Sequence, residues 1–231
     1  MALVLKGGAV FLHIPKTGGN WVTAVLRECG LVEGSIGTKH ADINRVLFPS
    51  MSTRREIRRL RVLKRFVKRL LFYSRDKPFM FCFVRHPLTW YESWFKYMSQ
   101  SNCRWRNWGD EKDINRWHPG ALLNGLGDSS FNQFVRNVIG KRPGYVTELY
   151  GWYTAPEVDF VGKQENLRED LIQVLNILNL EFDEDFVRNF RKVGVSPQED
   201  KITWDPDLRE EVLKLEYAGI VRYGYLSSES R

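Results

Sequence analysis

The chain alternates short apolar runs with segments in which apolar residues recur at helical spacing. The first two runs, residues 9–14 and 79–84, have the length and the Val, Ile and Phe content of buried strands, and a proline follows each of them closely. A third run, residues 158–162, ends at a glycine. Strands that alternate with helices predict an α/β fold with a short, mainly parallel sheet flanked by helices.

Helix signals follow the strands and fill the second half of the chain. We expect one helix from about Trp21 and a second that starts at Pro87, because proline fits the first turn of a helix. Further helices are predicted at residues 131–140, at 145–152, after Asn166, after Asp183 and at 206–217. Residues 31–42 are polar and contain glycine, which predicts a loop.

Length and composition are those of one domain that covers residues 1–231. With 43% hydrophobic residues, the chain has ample material for a core. The formal net charge of +7 favours anionic partners. No apolar run reaches membrane-spanning length, and the first residues lack the pattern of a signal peptide. The three cysteines, odd in number and widely spaced, favour a reducing compartment, so we expect a cytoplasmic protein.

The turn after the first strand predicts an anion-binding site. It consists of Pro15, Lys16, Thr17, Gly18, Gly19, Asn20 and Trp21. A strand, a glycine-containing turn and a helix N-terminus leave backbone N–H groups pointing outward, and the helix dipole adds partial positive charge. Gly18 and Gly19 allow close approach, Lys16 adds a full charge and Thr17 a hydroxyl donor. We interpret the turn as a cradle for a phosphate or a phosphosulfate; the alternative is an ordinary strand-to-helix turn.

A second motif follows the second strand. Arg85 directly succeeds the apolar run, Pro87 opens the helix, and Ser93 lies eight residues after the arginine. A guanidinium can form bidentate, charge-assisted hydrogen bonds to a phosphate, and a hydroxyl adds a short donor. Arg85 and Ser93 are therefore a candidate second phosphate site.

Together the two motifs resemble those of sulfotransferases that use PAPS (3′-phosphoadenosine 5′-phosphosulfate) and release PAP. The order of residues from His13 to Gly19 is most similar to that found in the branch of the family that contains carbohydrate O-sulfotransferases and their bacterial relatives. The resemblance covers most of residues 10–178, and its specific motifs occupy only 15–21 and 85–93. It implies a P-loop-like sulfotransferase fold, with the 5′-phosphosulfate at the first motif and the 3′-phosphate at the second.

The resemblance also implies the reaction and its general base. A sulfonate group would pass from PAPS to a hydroxyl acceptor, a carbohydrate or other alcohol, by in-line displacement without a metal, and Lys16 would stabilise the developing charge. In the resembled branch a histidine after the first helix is the base, and His40 stands at that position. Its ordinary pKa of about 6.5 suits this role. Alternatively, His40 is a surface residue that caps the next segment. We expect His13 to pack beneath the turn.

Two segments suggest additional partners. At about residues 52–72, basic residues surround an apolar stripe with helical spacing. Such a helix can bind an acidic glycan acceptor or make peripheral membrane contact, or it is simply a solvated helix. At about residues 99–127, tryptophans alternate with arginines. That loop is either a lid over the acceptor or a small satellite core.

Later in the chain, two features also match the resembled family. Glu165, between the third strand and its helix, is expected to be structural. Residues 192–201 have the glycine and serine content of a mobile loop. In relatives, a loop of this kind covers the nucleotide.

Two other functions remain open from the residues. A P-loop-like kinase would need the Walker A order, in which the lysine follows the last glycine, whereas Lys16 precedes Gly18 and Gly19. A non-enzymatic polyanion-binding protein would use the basic segment at 52–72. Nucleic acid is not expected as a partner under the sulfotransferase interpretation.

Overall fold

The computed structural model of the chain describes residues 2–47, 77–100, 105, 107–109, 118–194 and 202–226. One sheet contains β1 (Ala2–Leu5), β2 (Val10–Leu12), β3 (Val32–Ile36), β4 (Met80–Val84) and β5 (Phe160–Lys163). The helices are α1 (Gly19–Glu28), α2 (Ile43–Leu47), α3 (Pro87–Met98), α4 (Phe131–Lys141), α5 (Tyr145–Gly151), α6 (Leu167–Ile177), α7 (Glu184–Asn189), α8 (Pro206–Leu215) and α9 (Tyr217–Arg222). Short 3-10 turns lie at Lys6–Gly8, Pro119–Leu123 and Gln164–Asn166.

The sheet is mixed, with the spatial order β3-β1-β2-β4-β5. Strands β2, β4 and β5 are parallel, whereas β1 is antiparallel to both β2 and β3. The expected α/β class is confirmed, but the sheet is not mainly parallel. The prediction missed β1 and β3 because β1 is short and β3, Val-Glu-Gly-Ser-Ile, has no apolar run. The loop predicted at residues 31–42 therefore contains an edge strand.

The parallel strands are apolar throughout because both faces of the sheet are covered. On one face, Val10, Leu12 and Cys82 pack against a cluster that includes residues of α3, α4, α5 and α8. On the other, Phe11 and Phe81 pack against α1, α6 and α7. Cys82, in β4, is fully buried.

Most of the predicted helices are confirmed in the described residues. Pro87 occupies the first turn of α3, Ser130 caps α4 and Asp183 caps α7, the last two through their side-chain oxygens. The helix predicted at 206–217 is divided into α8 and α9 near Glu216.

Glu216 is a fully buried acid with a structural role. Its carboxylate accepts hydrogen bonds from the backbone N–H groups of Val146 (3.0 Å) and Thr147 (2.7 Å), and from the hydroxyl of Tyr91 (3.0 Å). A carboxylate at a helix N-terminus satisfies N–H groups that have no partner within the helix. Glu216 thereby joins α3 and α5 to the α8–α9 junction.

Several predictions concern residues outside those that the structure describes. These include the basic segment at about 52–72, Cys103, and the Arg104, Arg106 and Trp117 positions of the tryptophan-rich loop. In the described part of the chain, no helix is both long enough and apolar enough to cross a membrane.

Candidate anion-binding cleft

A cleft of about 680 Å³ opens where β2, β4 and β5 end. Because the three strands are parallel, the segments that follow them meet at one edge of the sheet, where open α/β sheets bind ligands. The lining includes residues of both predicted motifs and of two segments from later in the chain. It consists of His13, Lys16, Gly18, Gly19, Asn20, Trp21, Arg85, Glu92, Ser93, Lys96, Gln164, Glu165, Asn166, Leu167, Arg168, Glu169, Lys192, Val193 and Gly194.

The first motif forms a tight turn that leads into α1. Lys16 (φ 67°) and Gly18 (φ 84°) are both in the left-handed region, which costs a non-glycine residue about 1–3 kcal/mol. A Cβ atom on Gly18 would lie 2.5 Å from a methyl carbon of Leu167, so the main chain passes close to α6. No side chain caps the N-terminus of α1, where an anion could accept hydrogen bonds from backbone N–H groups; the N–H of Trp21, however, already donates to the carbonyl of Gly18 at 2.9 Å.

Two members of the predicted motif hold the turn and do not line the cleft. The carbonyl of Pro15 accepts a hydrogen bond from the indole N–H of Trp90 at 3.0 Å. The hydroxyl of Thr17 donates to the carbonyl of Ile14 at 3.0 Å, and Thr17 is 1% exposed. The expectation that the Thr17 hydroxyl donates to the anion is therefore corrected, because its single proton is used within the turn.

Arg85 connects the two motifs. The hydroxyl of Tyr150 accepts from the Arg85 N–H at 3.1 Å and donates to its carbonyl at 2.7 Å, which holds the chain where β4 ends. The guanidinium donates through Nε to the hydroxyl of Thr89 at 3.0 Å and through Nη1 to the carbonyl of Lys16 at 3.4 Å. Burial lowers the pKa of Arg85, but a guanidinium remains charged at neutral pH. Ser93, two turns along α3, faces the same cleft.

Other basic residues accompany the predicted ones. Lys39, which belongs to neither motif, donates through Nζ to Oδ1 of Asn20 at 2.8 Å, and burial lowers its pKa. Lys96 lies three residues after Ser93 on the same face of α3, a spacing that could have identified it from the sequence. The basic residues that line the cleft outnumber its acidic ones, which favours an anionic ligand.

Trp21 and Arg168 place the segment after α7 beside the first motif. The indole N–H of Trp21 donates to the carbonyl of Arg191 at 3.1 Å, and the guanidinium carbon of Arg168 lies 5.1 Å from the ring centroid of Trp21. Arg168 also donates to the carbonyl of Phe190 at 2.8 Å. As a result, Gly194 comes to rest against the side chain of Asn20. The predicted loop beyond residue 194 lies outside the described residues until residue 202.

Glu165 has the structural role expected for it. Its carboxylate accepts from the N–H of His86 at 2.8 Å and from the hydroxyl of Tyr225 at 3.0 Å. These contacts join the turn after β5 to the start of α3 and to the segment after α9. The lining of the cleft thus contains an acid that holds the Arg85–Pro87 turn in place.

Three histidines form a row of ring contacts behind the first motif. The rings of His13 and His40 are 4.8 Å apart and those of His40 and His118 are 4.5 Å apart, between centroids. All three are buried, with His40 9% exposed. His13 packs beneath the turn as expected, and it lines the cleft, whereas His40 is not part of the described lining. His40 is therefore not a surface residue that caps the next segment, as one alternative from the sequence had it, whereas its role as the base stays a prediction.

The hydrogen bond of His40 determines which ring nitrogen is basic. Its Nδ1 lies 2.9 Å from the carbonyl oxygen of His13, and since a carbonyl only accepts, Nδ1 carries the proton. Nε2 then holds the lone pair. Burial lowers the pKa of His40 to about 3, and it also lowers the pKa of His13. Both rings are therefore neutral near pH 7.

The contact between Gly19 and His13 provides a stability test. A Cβ atom on Gly19 would lie 2.2 Å from a ring carbon of His13, so Gly19→Ala should destabilise the protein by about 1–3 kcal/mol. A Cβ atom on Gly140, in α4, would have nothing within 4 Å, and Gly140→Ala should stabilise by roughly 0.5–1 kcal/mol. Urea unfolding of both variants measures the difference. If Gly19→Ala and Gly140→Ala had the same free energy of unfolding, the His13 ring would be able to move aside at no cost.

No match was found between this chain and models of known protein families, curated proteins or solved structures.

Proposed function

We propose that the protein is a PAPS-dependent sulfotransferase with a P-loop-like sulfotransferase fold. The observation that carries the proposal is the meeting of the two motifs in one cleft. The turn from Lys16 to Trp21 and the pair Arg85 and Ser93 follow adjacent parallel strands, and all of these residues except Thr17 line the same space. A nucleotide with phosphate groups at both its 5′ and 3′ positions suits two anion sites in a single cleft.

The described residues fit such a donor. At Gly18 and Gly19 a side chain would clash with Leu167 and His13, so the turn can pack this closely against its neighbours only without Cβ atoms. Lys16 lines the cleft, and its Nζ lies 4.4 Å from the centroid of the Tyr97 ring. Arg85 and Ser93 would hold the 3′-phosphate and so select PAPS over ATP.

In the proposed reaction, PAPS supplies the sulfonate group. A hydroxyl oxygen of a carbohydrate or other alcohol would form the new bond to sulfur as the bond from sulfur to the 5′-phosphate oxygen breaks, and PAP would leave. Lys16 and the first N–H groups of α1 would stabilise negative charge on the sulfonate and the leaving phosphate. His40, or His13 beside it, would accept the hydroxyl proton through an imidazole that is neutral at pH 7.

Calorimetry with PAP, ADP and heparin tests the proposal. We expect PAP to bind at least tenfold more tightly than ADP, because ADP lacks the 3′-phosphate that Arg85 and Ser93 would contact. Equal affinity for PAP and ADP would contradict the assignment and favour a kinase-like protein. Binding of heparin alone would favour the polyanion-binding alternative. Incubation with PAPS and a panel of alcohols, followed by mass spectrometry, would then identify the acceptor in the cytoplasmic setting that we propose.

A further inference from the structure

Three acids lie among the basic residues that line the cleft: Glu92 on α3, Glu165 after β5 and Glu169 on α6. Each of them accepts a hydrogen bond from a donor that is not itself part of the lining. For Glu169 that donor is Nε of Arg188, at 3.2 Å. The hydrogen bonds of Glu92 and Glu165 bear on the second motif, because both carboxylates lie near Arg85.

The charge of Arg85 responds to these two acids. Burial lowers the pKa of Arg85, and the carboxylates of Glu165 and Glu92 are among the nearby groups that oppose this shift. A carboxylate that paired directly with the guanidinium would occupy the N–H groups that a phosphate needs, since arginine binds both in the same bidentate way. In the described residues, the guanidinium instead donates to the uncharged hydroxyl of Thr89 and carbonyl of Lys16.

Tyr225 holds the carboxylate of Glu165. Its hydroxyl donates to Oε2 of Glu165 at 3.0 Å, while the N–H of His86 donates to Oε1 at 2.8 Å. Burial raises the pKa of Tyr225, so the hydroxyl keeps the proton that it donates. Both oxygens of this acid are therefore engaged by donors other than the guanidinium that lies near it.

The place of Tyr225 is fixed by contacts outside the cleft. Its N–H donates to the carbonyl of Ile220 at 2.9 Å, at the end of α9. Nζ of Lys163 donates to the carbonyl of Gly224 at 2.9 Å and lies 4.9 Å from the centroid of the Tyr225 ring. The ring meets that of His86 edge-on, with the centroids 5.2 Å apart. Tyr225 is only 3% exposed, so its hydroxyl has little freedom to leave Glu165.

Trp204 holds the carboxylate of Glu92 in a similar way. Its indole N–H donates to Oε1 of Glu92 at 2.8 Å, and its ring packs edge-on against Phe131 with the centroids 4.7 Å apart. An indole only donates and stays neutral, so this hydrogen bond restrains the acid without removing its charge. Glu92 directly precedes Ser93 in α3, so the restrained acid adjoins the second motif.

We propose that Tyr225 and Trp204 are positioning residues for Arg85. Each of them holds one neighbouring carboxylate, that of Glu165 or of Glu92, where it does not pair with the guanidinium. The arginine then stays available to the 3′-phosphate of the nucleotide, a step of the inference that rests on the proposed function. Aromatic donors from the last part of the chain thus keep the cations of the cleft apart from its own acids.

Tyr225→Phe, which keeps the ring and removes the hydroxyl, tests the first of these contacts by calorimetry on the full chain. We expect it to weaken PAP about three- to tenfold, because a Glu165–Arg85 pair present in roughly 70–90% of molecules would leave only the remainder able to bind. Adenosine 5′-phosphosulfate, which lacks the 3′-phosphate, should stay within about twofold of its affinity for the unmodified protein.

Adding Glu165→Gln to Tyr225→Phe separates positioning from a merely structural role. The amide keeps the shape of the acid but carries no charge to compete for Arg85, so PAP affinity should return to within about twofold of the original value. Loss of PAP affinity that Glu165→Gln does not restore overturns the proposal, and so does equal weakening of both nucleotides by Tyr225→Phe.

A second pair of variants and a matched control complete the set. Trp204→Phe should weaken PAP selectively, and Glu92→Gln should restore the affinity in that background. Tyr223→Phe is the control, because it removes a hydroxyl two residues before Tyr225 that lies 2.6 Å from the hydroxyl of Thr154. It should leave the affinity for both nucleotides unchanged.

Labelling with phenylglyoxal, followed by peptide mass spectrometry, reports on Arg85 without any nucleotide. The reagent attacks the uncharged guanidine, so a carboxylate that pairs with Arg85 stabilises the charged form and slows labelling. Tyr225→Phe should slow the labelling of Arg85 about threefold or more, and Glu165→Gln should restore it. Arg27, which is exposed in the last turn of α1, is the internal reference.

The two readouts distinguish this inference from the proposed function. PAP binding together with Arg85 labelling that Tyr225→Phe leaves unchanged overturns the inference and leaves the proposed function standing. Slower labelling that Glu165→Gln restores, in a protein that does not bind PAP, supports the restraint of the acids and overturns the proposed function.

Discussion

His40→Ala should lower kcat by about 10²–10⁴ while the affinity for PAP stays within a few-fold of that of the unmodified protein. A positioned general base typically contributes a factor of that size. Nδ1 of His40 donates to the His13 carbonyl, so its Nε2 is the nitrogen able to take a proton. His40 is not part of the described lining of the cleft, and the nucleotide would be held by Lys16, Arg85 and Ser93. Steady-state kinetics with PAPS, together with PAP calorimetry, measure both quantities.

His40→Asn is the matched control for folding. The asparagine amide lies about where Nδ1 does, so it can still donate to the His13 carbonyl, but it has no basic nitrogen. If His40 is the base, His40→Asn should be as inactive as His40→Ala and more stable. Should both variants keep near-normal kcat, the base is another residue, and His13 would be tested first. Asp42, an acid close to His40 in the chain, already uses its carboxylate within α2: it caps that helix and pairs with Arg45.

The pKa of His40 also changes the expected pH dependence. The sequence alone predicts an acidic limb of the rate profile near the ordinary value of about 6.5. Because burial lowers the pKa to about 3, His40 stays unprotonated as the pH falls through 6.5. The unfolded chain does take up that proton, so this group makes the protein less stable as the pH falls from about 6.5 towards 3. We therefore expect kcat to hold until acid unfolding begins, and His40→Asn to lose part of that acid sensitivity in pH-dependent unfolding.

Arg85→Ala should weaken PAP binding roughly tenfold to a hundredfold and leave adenosine 5′-phosphosulfate, which lacks the 3′-phosphate, nearly unaffected. Loss of a charged hydrogen-bond partner costs about 1.5–3 kcal/mol. Nη1 of Arg85 also contacts the carbonyl of Lys16, so the 5′-phosphosulfate measurement reports any damage to the first motif. Calorimetry with the two nucleotides gives the comparison directly.

Thr89→Val is the control for the position of the guanidinium. It removes the hydroxyl that accepts from Nε of Arg85 but keeps the charge, so it should weaken PAP less than Arg85→Ala does. Arg85→Lys keeps a charge but loses the planar guanidinium. Its loss of PAP affinity should therefore lie between the losses caused by Thr89→Val and by Arg85→Ala. Equal weakening of both nucleotides by Arg85→Ala would place the arginine in support of the turn and not at a 3′-phosphate.

Several elements could be predicted because their causes are local. Two-sided burial of β2 and β4 requires apolar residues at successive positions, and a run of such residues is visible in the sequence. Pro87 starts α3 through its own fixed φ, and Asp183 caps α7 through a contact three residues away. The segments of Lys16 and Arg85 meet because they follow adjacent parallel strands, which end at the same edge of the sheet.

The orientation of individual side chains in the site could not be predicted in this way. Thr17 matches the motif, but its hydroxyl is used by Ile14, and Lys39 reaches Asn20 from beyond β3. The loop that contains His40 is polar, which suggested exposure, yet the ring is buried between His13 and His118. A sequence pattern gives no signal for such contacts, because each partner lies in a different segment.

By itself, then, the sequence determined the α/β class, the strands β2 and β4, the start of α3 and the two motifs, since each depends on neighbouring residues or on strand direction. Only the tertiary structure decided that β1 and β3 make the sheet mixed, that His40 is buried and neutral, and that Lys39 reaches Asn20 beside the first motif. Those features depend on long-range packing, in which burial removes water from a side chain and so sets its charge, its hydrogen-bond partner and the space beside it.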